Sequence, residues 1–247
     1  MLRRLKIETM NSAIQLKNNK RYFNHNQSTM NKLSVSIIAL TILSFQALSQ
    51  SSLTWQKTFG GSWYEIGYSV DQTFDGGLVV SGFSWSDDGD VKGHHGSVGE
   101  PDAWILKLDA DGDTMWTRSL GGTSSEYANR IIETPDSGFI IAAQAQSIDG
   151  DVWDHNGAWY YDIWIVKLDN MGDTVWTRSY GGTDDDVAYS IDLTSDGGYI
   201  IGGTSYSIDG DVWDHIGSWD YWIVRINNSG DTLWTNSLGG TSSDYLE

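Results

Sequence analysis

The sequence predicts an all-β fold built from a four-stranded antiparallel sheet repeated in tandem. Three observations predict it. Marker tryptophans Trp55, Trp116, Trp176 and Trp234 recur at 61, 60 and 58 residues. Each is followed by a glycine pair: Gly60-Gly61, Gly121-Gly122, Gly181-Gly182 and Gly239-Gly240. Between the markers, short apolar runs alternate with turn signals, and the 28 glycines against 2 prolines favour tight turns between extended segments. Self-similarity at a fixed period marks repeat architectures. Aligned on the markers, the units run over 61–120, 121–180 and 181–238, with partial units at both ends.

Four strands follow in each unit. The first covers 66–73, 128–134 and 188–194, and ends at Asp75-Gly76-Gly77, Asp136-Ser137-Gly138 or Asp196-Gly197-Gly198. The glycines supply the positive φ of a short hairpin. The second strand comes at once, over 78–83, 139–144 and 199–204. After a longer loop the third covers 103–108, 163–168 and 221–226. The fourth carries the marker indole, over 114–119, 174–179 and 232–237, and residues 53–59 read as a fourth strand with no unit before it.

Ile163-Trp164-Ile165-Val166 is apolar without alternation, so both faces of the third strand should be buried. Four-stranded sheets in tandem, covered on both faces, are the blades of a β-propeller. A β-solenoid is disfavoured because its coils repeat at roughly 20–30 residues. About three blades are too few for a ring of the usual roughly 4–8. The expectation is an incomplete ring, completed by further blades of a longer chain or by another subunit.

The first 49 residues are a different object. They hold seven of the 15 basic residues and one of the 33 acids, Glu8. Residues 30–49 combine Lys32, an apolar run over 33–45 and small residues at Ala47 and Ser49, the pattern of a secretory signal peptide. The apolar stretch is shorter than the roughly 20 residues of a membrane span, so no membrane insertion is expected after cleavage. Residues 1–29 are polar, a leader or an upstream start, and 50–247 form the repeat domain.

Composition excludes other classes. With no cysteine there is no disulfide, thiol chemistry or Cys-type zinc site. A net charge of −18 argues against nucleic-acid binding. Aromatic content of 13% argues against disorder.

The turns Asp109 to Trp116, Asp169 to Trp176 and Asn227 to Trp234 share an Asp/Asn-x-x-Gly-x-x-x-Trp spacing. This spacing resembles the tryptophan-docking blades of quinoprotein-type propellers. The whole unit is similar to a repeat of secreted bacterial β-propeller proteins of the type IX secretion, sorting-domain kind. The similarity rests on residues 196–201, 207–212, 220–224 and the Trp-to-Gly-Gly segment, and covers essentially all of 53–247. It implies export and a cell-surface or extracellular life, and no established activity. Only the structural turn matches the quinoproteins; no cofactor-contacting set recurs, so no cofactor is expected.

Two constellations remain as candidate sites. Asp149, Asp151, His155 and Asp162, with their counterparts Asp209, Asp211, His215 and Asp220, bring carboxylates and an imidazole to one loop of each unit. Such a set suits a divalent cation, the carboxylates calcium and the imidazole a softer metal. It equally suits capping of turn amides, and recurrence in every unit favours capping. Trp153, Trp159, Tyr160, Trp213 and Trp219 lie in the same long loops, where aromatics grip sugars or mark protein interfaces.

Every prominent acid recurs between units, so none stands out as a catalytic group. Glu100, unique to the first unit, has no evident partner. The sequence thus reads as a secreted or cell-surface repeat protein, a non-enzymatic binding or adhesion scaffold whose blade loops contact protein or glycan. The alternative is a secreted propeller hydrolase acting on polysaccharide.

Overall fold

A computed structural model of the chain describes residues 55–96, 99–155 and 159–244. The expected leader and signal peptide lie outside the described residues. Among those residues the architecture is all-β, with twelve strands and no helix. The first unit contributes β1 (Glu65–Gln72), β2 (Leu78–Ser84), β3 (Asp102–Leu108) and β4 (Thr114–Leu120). The second contributes β5 (Glu126–Glu133), β6 (Phe139–Ala145), β7 (Asp162–Leu168) and β8 (Thr174–Tyr180). The third contributes β9 (Asp186–Leu193), β10 (Tyr199–Ser205), β11 (Asp220–Ile226) and β12 (Thr232–Leu238). Each unit forms its own four-stranded meander in chain order, antiparallel throughout.

Every expected strand within the three units is present, shifted by a residue or two at its ends. Residues 55–59 differ from expectation: they carry no strand pairing. An antiparallel ladder needs a neighbour, and among the described residues no third strand of an earlier unit lies beside them.

The hairpin between first and second strands is closed by a carboxylate. Asp75 Oδ1 accepts from the Thr73 hydroxyl and from the Gly77 amide at 2.9 Å, while Lys107 Nζ reaches Oδ2 at 2.9 Å. Lys167–Asp136 and Arg225–Asp196 repeat the pair, so a buried base on the third strand anchors each turn. Hydrogen bonds from Thr73 and Lys107 hold the Asp75 carboxyl near pKa 2, well below the usual carboxylate range. The turn position after the acid is left-handed in each unit: Gly76 (φ 85°), Ser137 (φ 62°) and Gly197 (φ 86°).

Consecutive sheets pack face to face. Val79 and Ile105 of the first sheet meet Ile131, Phe139, Ile141 and Trp164 of the second. The second sheet's other face, Ile140, Ile163 and Ile165, meets Tyr199, Ile201, Trp222 and Val224. β7 is accordingly buried along its whole length, as the unbroken apolar run requires.

The marker indoles Trp55, Trp116 and Trp176 also grip the next unit's turn. A Cβ on Gly172 would stand 2.9 Å from the Trp116 ring, and φ there is 80°. Glycine is therefore demanded twice, by conformation and by the indole. Arg118 Nε donates to the Gly172 carbonyl at 3.0 Å and Nη2 to Asp173 Oδ1 at 2.9 Å. Trp55 lies on Gly112 and Trp176 on Gly230 in the same manner. Trp234 of the last sheet is 47% exposed, because no following turn covers it among the described residues.

Replacing Gly172 by alanine should lower unfolding free energy by roughly 2 kcal/mol, through a left-handed Cβ and an indole collision. Ser137→Gly should raise it by up to about 1 kcal/mol by relieving the left-handed serine. Urea denaturation of both variants measures the two effects.

Candidate functional site

The acidic loops are clasps on the corner between units. Asp149 Oδ1 accepts from the Thr123 amide at 2.8 Å, and Asp151 Oδ2 from the Gly121 amide at 3.1 Å. In the next unit Asp209 takes Thr183 at 2.9 Å and Asp211 takes Gly181 at 3.3 Å. Asp88 and Asp90 do the same with Ser62 and Gly60. Val91, Val152 and Val212 then plug the loop into the core.

The histidines tie the far end of the loop. His155 Nε2 lies 3.1 Å from the carbonyls of both Ala145 and Tyr160, which fixes it as the donating nitrogen. It stands 4.0 Å from the buried Asp162, and burial lowers its pKa, so the ring is held neutral. His215 Nδ1 is 3.6 Å from Asp220, whose Oδ2 accepts from the Ile216 amide at 2.9 Å. Among the described residues, no three His, Asp or Glu side chains gather in a geometry that could hold a metal ion. Of the eight candidate metal ligands, the four loop carboxylates Asp149, Asp151, Asp209 and Asp211 have backbone amides as partners.

A second set of acids was not singled out in the sequence. Four residues after the second glycine of each pair stands Glu65, Glu126, Asp186 or Asp244. Glu126 Oε2 accepts from the Gly122 amide at 2.9 Å and Oε1 from the Ser147 amide at 3.0 Å. Asp186 Oδ2 accepts from the Gly182 amide and the Ser207 hydroxyl, both at 2.8 Å. This explains the glycine pair. A Cβ on Gly121 would stand 2.3 Å from Glu126 Oε2, and one on Gly122 2.4 Å from Asp149 Oδ1. Burial pushes Glu126 up to about 7 and Asp186 up to about 6, against the opposing effect of their hydrogen bonds.

The candidate ligand aromatics are spread along the loops. Trp153, Trp159, Tyr160 and Trp213 are exposed, and Trp219 packs at 5.5 Å against Tyr206.

A different set converges. Each first strand carries a one-residue bulge at the same register: Tyr68 in β1, Asn129 in β5 and Tyr189 in β9 are the extra residues. Bulges re-aim a side chain and concentrate beside functional sites. All three residues line one open cavity of about 630 Å³, with Tyr127, Gln144, Tyr161 and Val187. The sheets are stitched together at this point. Arg130 Nη1 donates to Ser69 Oγ at 3.1 Å between β5 and β1, and Asn129 Nδ2 to the Ala188 carbonyl at 2.8 Å between β5 and β9. Of the lining residues, Tyr68, Tyr127 and Tyr161 form a chain of ring contacts with Phe83, with centroids 4.8–6.0 Å apart.

No lining residue of this cavity is ionised at neutral pH. Burial, then the neighbouring Tyr127, pushes the Tyr161 phenol up to about 12, and the same two causes raise Tyr68. The only trace of the bulges in the sequence is the pair of small residues opposite each one: Ser81-Gly82, Ala142-Ala143 and Gly202-Gly203. A Cβ on Gly82 would fall 1.8 Å from the Ile66 carbonyl oxygen, so the bulged backbone presses directly on its neighbour.

No family model matches the chain. It is similar to the regulatory protein FlaEY of Caulobacter vibrioides, at 27% identity in a 159-residue alignment that covers 60% of this chain. The match spans 16% of that protein's own length.

The raised carboxyls set a pH dependence. A folded-state pKa above the unfolded value means the native state holds the proton more tightly. The contribution of Glu126 is therefore complete below about pH 4.5 and lost as pH rises through about 7. Asp186 acts with the same sign between its ordinary 3.8 and about 6. Thermal unfolding midpoints should fall from pH 5 to pH 8, and Glu126→Gln should flatten that decline.

Proposed function

We propose that this chain is a non-enzymatic binding scaffold of a secreted or cell-surface protein, its sheets fanned about an axis as propeller blades. One observation carries the reading: three equivalent bulge residues, one from each sheet, meet at a single cavity. Equivalent residues of successive units converge when their first strands lie innermost, as in a propeller. The contacts of β5 with both β1 and β9 support the same arrangement.

Binding rather than turnover is supported by the disposition of the acids. The recurring carboxylates of the corners are engaged with backbone amides, and the cavity is lined by phenols, carboxamides and a valine. General acid–base chemistry needs a titrating group within reach of the reacting atoms. The cavity wall offers phenols, carboxamides and aromatic faces, with no carboxylate or imidazole among its lining residues. Export rests on the basic, apolar and small-residue pattern of 30–49.

The open sheet faces support a further part of the reading. On the first sheet Ile66 and Val70 are 47% and 58% exposed beside an apolar cavity of about 330 Å³, whose Trp104, Leu106 and Leu108 are buried. The equivalent faces of the second and third sheets are covered by the sheet before them. On the last sheet Trp234 and Leu238 are about half exposed, at 47% and 48%. Further units of the same kind, in a longer chain or another subunit, are the occupants these faces fit.

Incubating the chain with a polysaccharide panel should yield binding without released product. Turnover abolished by changing one carboxylate would overturn the scaffold reading in favour of a hydrolase. In light scattering the chain should self-associate as concentration rises, and Leu238→Lys should return it to the monomer. A concentration-independent monomer would contradict the role given to the open faces.

A further inference from the structure

We propose that the bulge-lined cavity is a binding site for a neutral saccharide, held between the Tyr68 and Tyr189 rings and oriented by the Asn129 and Gln144 carboxamides. The proposal deepens the scaffold reading and rests on it.

Four properties of the site point to this ligand. First, the two tyrosines contributed by the bulges are 50% and 48% exposed, so part of each ring is accessible to a ligand. A sugar's axial C–H surface stacks on such faces, and an aromatic ring gives a large apolar contact with little flexibility to lose. Second, the polar groups are carboxamides and phenols, which both donate and accept, as vicinal hydroxyls require. Asn129 is pre-oriented by its bond to Ala188 and lies 3.4 Å from Gln144 Oε1, so the amide pair is fixed before any ligand arrives.

Third, no lining side chain carries charge at neutral pH, and the raised phenols remain hydrogen-bond donors. The chain's net charge of −18 disfavours uronate or sulfated glycans at low salt. Fourth, the cavity of about 630 Å³ falls within the usual size of a small-ligand pocket, roughly 300–1,000 Å³. It is open, which suits a chain end or a short internal stretch of glycan. A proline-rich peptide also docks on aromatic grooves. The fixed carboxamide pair favours the hydroxyl-rich ligand.

Calorimetric titration of the full chain with cello-, xylo- and chitooligosaccharides, oligogalacturonate and a proline-rich peptide tests this. A neutral oligosaccharide should bind, with Tyr68→Ala and Tyr189→Ala each weakening it about tenfold or more. Tyr68→Phe, which keeps the ring, should lose only a few-fold, and Val175→Ala on the exposed side of β8 should bind unchanged. Melting temperatures of the variants establish that they are folded. Absence of neutral-saccharide binding, binding indifferent to both tyrosines, or preference for oligogalacturonate would overturn the proposal. Peptide binding lost in Tyr68→Ala would overturn the ligand class and leave the scaffold reading standing. Saccharide turnover by the chain would strike the scaffold reading itself.

Discussion

Burial of both faces of a sheet by its neighbours is the constraint on which the rest of this structure depends. A lone four-stranded sheet with Trp164 and flanking isoleucines at its centre would expose a broad apolar surface to water. Packed between its siblings, β7 is buried from end to end. The marker indoles extend the same contact to the rim. Trp116 covers Phe139 edge-on at 5.6 Å and closes over Gly172, so each sheet holds its successor at the core and at the turn. Among the described residues each outer sheet has such a neighbour on one face only. Their exposed Ile66, Val70 and Leu238 are the counterpart of that rule.

The chain's acidity is organised by the corners between sheets. A connection from a fourth strand to the next first strand leaves backbone amides without ladder partners, and the loop carboxylates accept from them. Glycines sit where a side chain would displace those carboxylates. The cost appears in the protonation equilibria: Glu126 and Asp186 are buried deeply enough to resist ionisation despite their hydrogen bonds. The hairpin acids behave in the opposite sense, since Asp75 faces a lysine and remains half exposed. Glu126 and Asp186 on one side and Asp75 on the other are thus shifted in opposite directions, the first two by desolvation and the last by its hydrogen bonds.

Much of this order was legible in the sequence, for physical reasons. Strand boundaries followed from apolar runs ended by Asp-Gly turns, and two-sided burial followed from the absence of alternation in residues 163–166. The recurrence of the aspartates favoured capping, and Asp151 and Asp211 accept from the Gly121 and Gly181 amides. What stayed hidden was convergence. A bulge leaves no mark in a hydrophobic pattern, because a tyrosine or asparagine one residue out of phase looks like an ordinary strand residue. The loop tryptophans drew attention by their size, while the cavity is lined by Tyr68, Asn129 and Tyr189 at positions of modest composition. The pairing of residues 55–59 failed for the complementary reason: strand propensity at Trp55 and Phe59 cannot supply a partner strand.

Convergence is also what separates a radial fan from a straight stack of sheets. Spin labels at positions 68 and 189, on first strands of the outer two sheets, measure the inner spacing. Labels at 115 and 233, on exposed residues of the corresponding fourth strands, measure the outer spacing. Pulsed electron–electron resonance should give a clearly shorter inner distance than outer distance. Equal distances would mean parallel stacking and would contradict the fanned arrangement.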